Sequence, residues 1–402
     1  MKGPLEGINI LECGQWLQVP HAATLLGNLG AEVIKVEQRE TGDPTRGSLS
    51  TIGASIPHKL NSSFEYCNLN KRSITIDLRR EKGREIIFKL VKKADVFMHN
   101  MRSSAAKKLG IDYETMSGHN PRLIYAVGSG WGPKGPESSK PALDPVVVAK
   151  SGLMYLSGSP DLPPMEPKRG IADDTGAIWL TLAIEAAIIA RERHGIGQRV
   201  DVSMFGGVLA LQAYHHSFEL LNGTPWPRRL RTDMANPLNA FYMCSDETWL
   251  MLGMLQADKF WSDFCKAMGI EKLENDPRFE NIVVRNRNAK ELISILDEIF
   301  ITKTADQWIK ILSENGDFIF APVQTSTEAL NDVQAKENEY VVDFDHPTWG
   351  SVKLMGHPYT FSKTPAGIRS SAPEFGQHTE EILLEIGYGW DDIVRLKDDE
   401  II

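Results

Sequence analysis

The sequence has few cysteines, and none of them are close together. The four cysteines lie far apart along the chain, and none belongs to a CxxC pair: Cys13, Cys67, Cys244 and Cys265. No cluster of cysteine and histidine has the spacing of zinc ligands, so no metal site is expected. Isolated cysteines are typical of free thiols in a reducing compartment, and we therefore expect a cytoplasmic protein.

Long apolar runs and an excess of positive charge are also missing. The longest apolar stretch, 177–190, is interrupted by Thr181 and Glu185, and it is shorter than the roughly 20 residues of a membrane span. The N-terminus has no apolar signal core. The formal net charge is −9, which argues against nucleic acid, because phosphate binding requires a basic surface. The sequence therefore predicts neither a membrane nor a nucleic acid as a partner.

The first half of the chain alternates strand-like and helix-like segments. The residue pattern predicts helices over 21–29 and 81–93, and strands over 7–12, 31–37, 73–78, 95–99 and 123–127. This alternation predicts an α/β fold whose parallel sheet binds ligands at the carboxyl ends of its strands. Residues 128–170 are predicted to be mostly loop. Their glycines have neither phosphate-loop nor GxGxxG spacing, so a nicotinamide cofactor is not expected.

The length of 402 residues favours two domains rather than one core. The first part, 1–222, is predicted to be a Rossmann-like large domain. From residue 223 the pattern changes to short strands followed by several helices, which is typical of a smaller α+β domain.

Two adjacent carboxylates, Asp173 and Asp174, come just before a long apolar helix that is predicted over 175–194. One interpretation is N-capping, because an aspartate oxygen accepts the free backbone N–H groups of a first helical turn. The other is a nucleophile, since an ionised carboxylate in a cleft can form a covalent intermediate. In either case the helix N-terminus is expected to keep the carboxylate charged. The spacing leaves both interpretations open.

Several segments together resemble one known family, the class III coenzyme A transferases, which includes formyl-CoA, carnitine and benzylsuccinate CoA-transferases. The resemblance covers nearly the whole chain and rests on blocks in the same order: PLEGINILE at 4–12, LGAEVIKVE at 29–37, IAD at 171–173, GIGQRVDVSM at 195–204, DPRF at 276–279, HPTWG at 346–350 and GQHT at 376–379.

The resemblance implies an activity and a set of site residues. It implies that CoA moves from an acyl-CoA donor, such as succinyl-CoA, to a free carboxylic acid through an aspartyl anhydride and an aspartyl-CoA thioester, with Asp173 as the nucleophile. Coenzyme A thioesters are then substrates, and no permanently bound cofactor is expected. The implied coenzyme A contacts are Trp16, Leu17, Gln18, Gln38, Arg39, Asn100, Met101, Lys108, Lys140 and Met204.

The resemblance also implies a dimer of interlocked rings, in which both chain ends belong to the large domain. The predicted division is thus 1–222, a small domain over 223–325, and a return to the large domain over 326–402. A pair with a homologous, unlike subunit is the alternative to a homodimer. The glycine-rich loop of formyl-CoA transferases is replaced here by LGMLQ at 252–256, which favours a bulkier, aromatic or dicarboxylic acid over formate or oxalate.

Two other functions fit the same scaffold. An acyl-CoA racemase removes an α-proton and needs an acid/base pair. The related racemases carry a histidine just before the position of Asp144, where this chain has Leu143, so the pair is incomplete. The other alternative is a CoA-binding subunit of a hetero-oligomeric transferase, against which the presence of Asp173 argues.

Overall fold

A computed structural model describes residues 3–50 and 61–402, except for the side chains of 48–50. Contacts between Cα atoms divide the chain into two compact units. The first comprises 1–155, 166–224 and 338–402, and the second comprises 156–165 and 225–337. The domain boundaries predicted from the sequence stay a prediction, because compactness alone does not show which segments fold independently.

A six-stranded, fully parallel sheet forms the centre of the first unit. Its strands are β1 Asn9–Cys13, β2 Glu32–Glu37, β3 Lys71–Thr75, β4 Val96–His99, β5 Ile124–Ser129 and β6 Gln198–Ser203. Their order, β3-β2-β1-β4-β5-β6, places the reversal of the winding between β1 and β4. Ligands of doubly wound sheets bind at that point, beyond the carboxyl ends of the strands. The α/β prediction is confirmed.

Helices cover both faces of this sheet, because its strands carry apolar side chains on both sides. The helices of this part of the chain are α1 Gln18–Asn28, α2 Ser62–Asn68, α3 Glu81–Val91, α4 Ser103–Leu109, α5 Tyr113–His119, α6 Asp144–Lys150, α7 Leu153–Leu156, α8 Ile171–His194, α9 Met204–Leu211 and α10 Ala213–Asn222. On one face Ile10, Val19 and Leu180 share a core. On the other, Leu11 and Phe97 pack with residues of the C-terminal helices.

One of the predicted elements needs correction. The helix expected to start at 175 begins at Ile171, so Asp173 and Asp174 lie inside its first turn instead of preceding it. The segment 128–170 is mostly loop, as expected, and it also contains the two short helices α6 and α7. The proline at N1 or N2 of α6 is typical of a helix start, although the surrounding glycines and prolines obscured this signal.

The second unit has its own small antiparallel sheet and its own apolar core. Its elements are β7 Phe241–Met243, β8 Trp249–Leu252, α11 Ala257–Met268, α12 Ile282–Arg287, α13 Ala289–Phe300, α14 Ala305–Asn315, β9 Phe320–Pro322, α15 Ser326–Asn331 and α16 Val333–Glu337. The chain then returns to the first unit through β10 Val341–His346, β11 Gly350–Met355, α17 Thr379–Glu385 and α18 Trp390–Asp398. Within 3–50 and 61–402, every helix is too short or too polar to cross a bilayer.

Candidate active site

The turn between β1 and α1 lies at the reversal point of the sheet and is fixed by polar contacts. Asn100, which follows β4, accepts a hydrogen bond from the Gln15 backbone N–H at 3.0 Å and donates to the Gln15 carbonyl at 2.6 Å. The next residue, Trp16, has a left-handed backbone with φ of 65°, which is uncommon outside glycine. Its N–H donates to Asp43. Trp16 and Asn100, both predicted as coenzyme A contacts, are thus held in one rigid turn.

A network of buried charges lies beneath this turn. The Lys35 ammonium donates to Glu12, Asp43 and the Gly14 carbonyl at 2.9–3.1 Å. Lys71 donates to the other oxygen of Glu12 at 2.9 Å. Burial works against a charged Lys35, but the carboxylates of Glu12 and Asp43 outweigh it and raise the pKa of the ammonium. Two buried cations and two buried anions therefore compensate each other.

The first turn of α8 takes its cap from a distant part of the chain. The side chain of Asp144 accepts backbone N–H groups from Gly170, Ala172 and Asp173, at 2.7–3.2 Å. These N–H groups lack partners within the helix, and a carboxylate is well suited to accept them. The N-capping interpretation of Asp173 is therefore wrong, because Asp144 occupies that role from 29 residues earlier in the sequence.

Asp173 consequently has an environment that opposes its charge. Burial, followed by the negative charges of Asp144 and Asp174, raises the pKa of the Asp173 carboxyl to about 7, although a backbone N–H of Gln18 acts in the opposite direction. The sequence led us to expect a carboxylate that the helix N-terminus keeps ionised. The structure reverses that expectation, because the amides expected to stabilise Asp173 bind Asp144 instead.

Asp174 has the opposite environment, although it is the next residue. Its Oδ1 lies 3.2 Å from the Tyr66 hydroxyl and 3.3 Å from His21 Nδ1, and its Oδ2 lies 2.5 Å from the Lys168 ammonium. Burial alone would raise the pKa of Asp174, but hydrogen bonds from His21 and Lys168 hold it below its usual value. Neighbouring carboxylates whose pKa values are pushed apart are typical of acid/base and nucleophilic sites.

The side chain of Gln18 lies between the two glycines that flank the site. A Cβ placed on Gly128, in β5, would lie 2.8 Å from Gln18 Oε1, and one placed on Gly176, in α8, would lie 2.6 Å from Gln18 Nε2. Nε2 is buried and donates to no partner among the described residues. Leu17 borders Gly170 in the same way, with Cδ1 3.6 Å from a Cβ built there. Leu17, Gln18 and the start of α8 thus lie together, and the roles of Leu17 and Gln18 as coenzyme A contacts stay predictions.

The other predicted contacts have their own local partners. The Gln38 amide oxygen accepts N–H groups from Glu40 and Thr41. Arg39 donates to the carbonyl of Ile402 at the chain end. The Met101 N–H donates to the ring of His99, Lys140 pairs with Glu137, and Lys108 is exposed on α4. Met204 is buried in a small core at the start of α9. Their roles as coenzyme A contacts stay predictions.

Sequence reasoning missed Asp144 as a cap and His21, Tyr66 and Lys168 as neighbours of Asp174. The Asp-Pro pair at 144–145 is a signal for a helix start, but nothing in it predicts that the side chain caps a second helix. His21 and Tyr66 lie on different helices, so their proximity depends on tertiary packing.

Known proteins are similar to this chain over nearly its whole length. The model of CoA-transferase family III matches residues 5–379. An acyl-CoA transferase of Fusarium pseudograminearum is 34% identical over 100% of this chain and 89% of its own length. The (R)-2-hydroxy-4-methylpentanoate CoA-transferase of Clostridioides difficile is 30% identical over 99% of both chains.

Solved structures give the same result for the fold. A CaiB/BaiF family protein from Brucella suis superposes with a TM-score of 0.84 at 28% identity, over 96% of this chain and 100% of that one. The match to the family model spans both units, and the relatives align over nearly the full length. The chain therefore belongs to CoA-transferase family III, and it is an enzyme that transfers coenzyme A.

Proposed function

We propose that Asp173 is the nucleophile of this transferase and that it carries first an acyl group and then coenzyme A. The observation that carries the proposal is the position of this carboxyl group. It lies in the first turn of α8, where it accepts the backbone N–H of Gln18, and burial, Asp144 and Asp174 raise its pKa to about 7. A carboxylate that is poorly stabilised as an anion gains when acylation removes its charge.

The steps balance as two successive acyl exchanges. An oxygen of ionised Asp173 attacks the carbonyl carbon of the donor acyl-CoA, the C–S bond breaks, and a mixed anhydride and the CoA thiolate form. The thiolate then attacks the aspartyl carbonyl carbon, which releases the donor acid as its carboxylate and leaves an aspartyl-CoA thioester. The acceptor carboxylate repeats these steps in reverse order and regenerates Asp173. Gln18 Nε2, which is buried without a partner among the described residues, is the donor that we assign to an oxygen that becomes negative.

We propose a free carboxylic acid of moderate size as the acceptor, either aromatic or dicarboxylic as the sequence led us to expect, or a 2-hydroxy acid. The names of the relatives support this range of acids. They include a cinnamoyl-CoA:phenyllactate CoA-transferase of Clostridium sporogenes and a succinyl-CoA:glutarate CoA-transferase of Homo sapiens. Succinyl-CoA is a suitable first donor to test, because it also appears in the name of a D-citramalate enzyme.

We also propose that two copies of the chain form the interlocked dimer that the sequence led us to expect. Helices α8 and α9 support this, because they expose large apolar side chains that an isolated chain would leave in water: Ile178, Leu182, Ile189 and Leu211. Apolar areas of this kind are typical of interfaces between subunits. Light scattering of the purified protein measures the mass directly, and a monomer at micromolar concentration would contradict the dimer.

The nucleophile is tested by trapping the intermediate. The protein is incubated with succinyl-CoA and hydroxylamine, digested, and analysed by mass spectrometry. We expect a hydroxamate on Asp173 and none on Asp174, which serves as the matched neighbour. The variant Asp173→Asn is expected to fold with an unchanged circular dichroism spectrum and to lose CoA transfer by a factor of roughly a thousand or more. Full transfer activity in that variant would exclude Asp173.

A further inference from the structure

Four polar side chains meet immediately beside the proposed nucleophile. Asp174 contacts His21 from α1, Tyr66 from α2 and Lys168 from the segment before α8. We call these four residues the Asp174 cluster. It is open to solvent, since the side chain of Asp174 is 20% exposed and that of Lys168 is 62% exposed. The cap of α8 does not involve Asp174, because Asp144 accepts those N–H groups.

The cluster offers both a hydrogen-bond acceptor and a hydrogen-bond donor. A carboxylate can accept about four hydrogen bonds, and Asp174 has three neighbouring donors among the described residues. Lys168 has three N–H groups and donates one bond there, to Asp174. One acceptor position and two N–H groups are therefore left to solvent or to a bound molecule.

A hydroxyl group is the partner that fits this arrangement best, because it donates and accepts at the same time. A second carboxylate would meet the negative charge of Asp174, which stays ionised because its pKa is held below the usual value. An apolar substituent would displace water from four polar groups without forming hydrogen bonds to them, which costs free energy. The chemistry of the Asp174 cluster thus distinguishes a hydroxyl from both alternatives.

The cluster also lies at the right position along a bound acid. In the anhydride, the acyl carbonyl carbon is bonded to the oxygen of Asp173, and carbon 2 is the next atom of the acid. Asp173 and Asp174 both contact the first turn of α1, Asp173 through the backbone N–H of Gln18 and Asp174 through the ring of His21. A substituent on carbon 2 that points toward Asp174 therefore meets the cluster, whereas one on the opposite enantiomer points away from it.

We propose that the Asp174 cluster binds the 2-hydroxyl group of the acid and makes this chain selective for one enantiomer of 2-hydroxy acids. The proposal rests on the proposed function, because it places the acid on Asp173. Asp174 accepts a hydrogen bond from the hydroxyl group, and Lys168 donates a hydrogen bond to the hydroxyl oxygen. The selected substrates are 2-hydroxy acids with one carboxylate, and the side chain of the acid is left to other parts of the site.

The test compares acids that differ only in the hydroxyl group. With succinyl-CoA as donor, kcat/KM is measured for both enantiomers of 2-hydroxy-4-methylpentanoate and for 4-methylpentanoate, and likewise for 3-phenyllactate and 3-phenylpropanoate. One enantiomer is expected to exceed its deoxy analogue by roughly 10- to 100-fold, the range for a hydrogen bond to a charged group. In Asp174→Ala and in Lys168→Met this ratio is expected to fall below about threefold.

A matched pair of variants separates this role from general effects of charge. Lys82 and Asp399 form an exposed ion pair in the same unit, so Lys82→Met and Asp399→Ala are expected to keep the wild-type ratio. A wild-type ratio near one overturns the proposal, while CoA transfer to the deoxy acids still supports the function of Asp173. A variant that slows all acids equally also overturns it, because that is the result of a merely structural role. Loss of every transfer reaction, without an adduct on Asp173, overturns both proposals.

Discussion

Two groups of buried or half-buried charges lie near the same turn of the chain, and they differ in how well their charges balance. Beneath the turn, Glu12 and Asp43 face Lys35 and Lys71 at 2.9–3.1 Å, and all four side chains have 0% exposure or close to it. At the start of α8, the carboxylates of Asp144, Asp173 and Asp174 crowd together, with Lys168 and His21 beside only one of them.

From this difference we infer that one group supports the fold and that the other one reacts. A buried charge with a partner stays ionised and fixes geometry, and its loss leaves the partner uncompensated. A carboxylate without a partner has a raised pKa and gains from any reaction that removes its charge. The balanced group thus holds the turn that carries Trp16 to Gln18, and we propose that the unbalanced group performs the chemistry. The following predictions test this division.

The largest effect is expected from breaking the balanced group. Lys35→Met removes one cation and leaves Asp43 buried without a counter-charge, so the free energy of unfolding is expected to fall by about 3–5 kcal/mol. Urea denaturation followed by circular dichroism measures the change. The control is Lys353→Met, which breaks the exposed pair with Asp343 and is expected to change the free energy by less than about 1 kcal/mol. Equal losses in the two variants would contradict a structural role of the buried network.

The sheet was predictable from the sequence because its signals are local. Runs of β-branched residues such as those in β2 predict strands wherever they occur, and the alternation with helices predicts parallel pairing. The predicted ends of the strands agree less well with the structure. For example, β3 ends at Thr75, whereas the strand was expected to continue to residue 78. The start of α8 was predicted too late in the sequence, because its N-cap is Gly170 in the αL conformation, and an αL glycine is more typical of a helix end.

The environment of the site was not predictable in the same way. The family resemblance pointed to Asp173 and Gln18 by position alone, and it gave no information on their charge. The raised pKa of Asp173 depends on Asp144 binding the helix amides from another segment, and the lowered pKa of Asp174 depends on His21 and Lys168. Such contacts are set by tertiary packing, so a single sequence contains no local signal for them.

An intermediate effect is expected when one of the three carboxylates at the start of α8 loses its negative charge. The ionised fraction of Asp173 increases as the pH rises through its pKa of about 7, so kcat/KM for acyl-CoA is expected to rise through the same range. Asp144→Asn removes a negative charge that raises this pKa, while its amide oxygen can still accept N–H groups. The acid limb of the pH profile should therefore move to lower pH, by about one unit.

The control for this shift is Asp399→Asn, a change of the same type at an exposed pair. Its acid limb is expected to coincide with that of the wild type. If Asp144→Asn lowers the rate without moving the limb, then Asp144 acts only as a helix cap and the electrostatic part of the comparison is wrong. The kcat/KM profile is the right measurement because it reports the pKa of the free enzyme.

The smallest effect is expected at the contact between α8 and Gln18, which lies in the turn that the balanced group holds. In Gly176→Ala the new Cβ would lie 2.6 Å from Gln18 Nε2, and because this is the end of a flexible side chain, the amide should move and the fold should persist. We expect kcat/KM for acyl-CoA to fall by about tenfold with little change in stability.

Gly118→Ala, on the open surface of α5, is the matched control and should leave kcat/KM unchanged. Because Gln18 is the proposed donor to the developing negative charge, the loss should appear mainly in kcat; a loss confined to KM would instead assign Gln18 to binding coenzyme A.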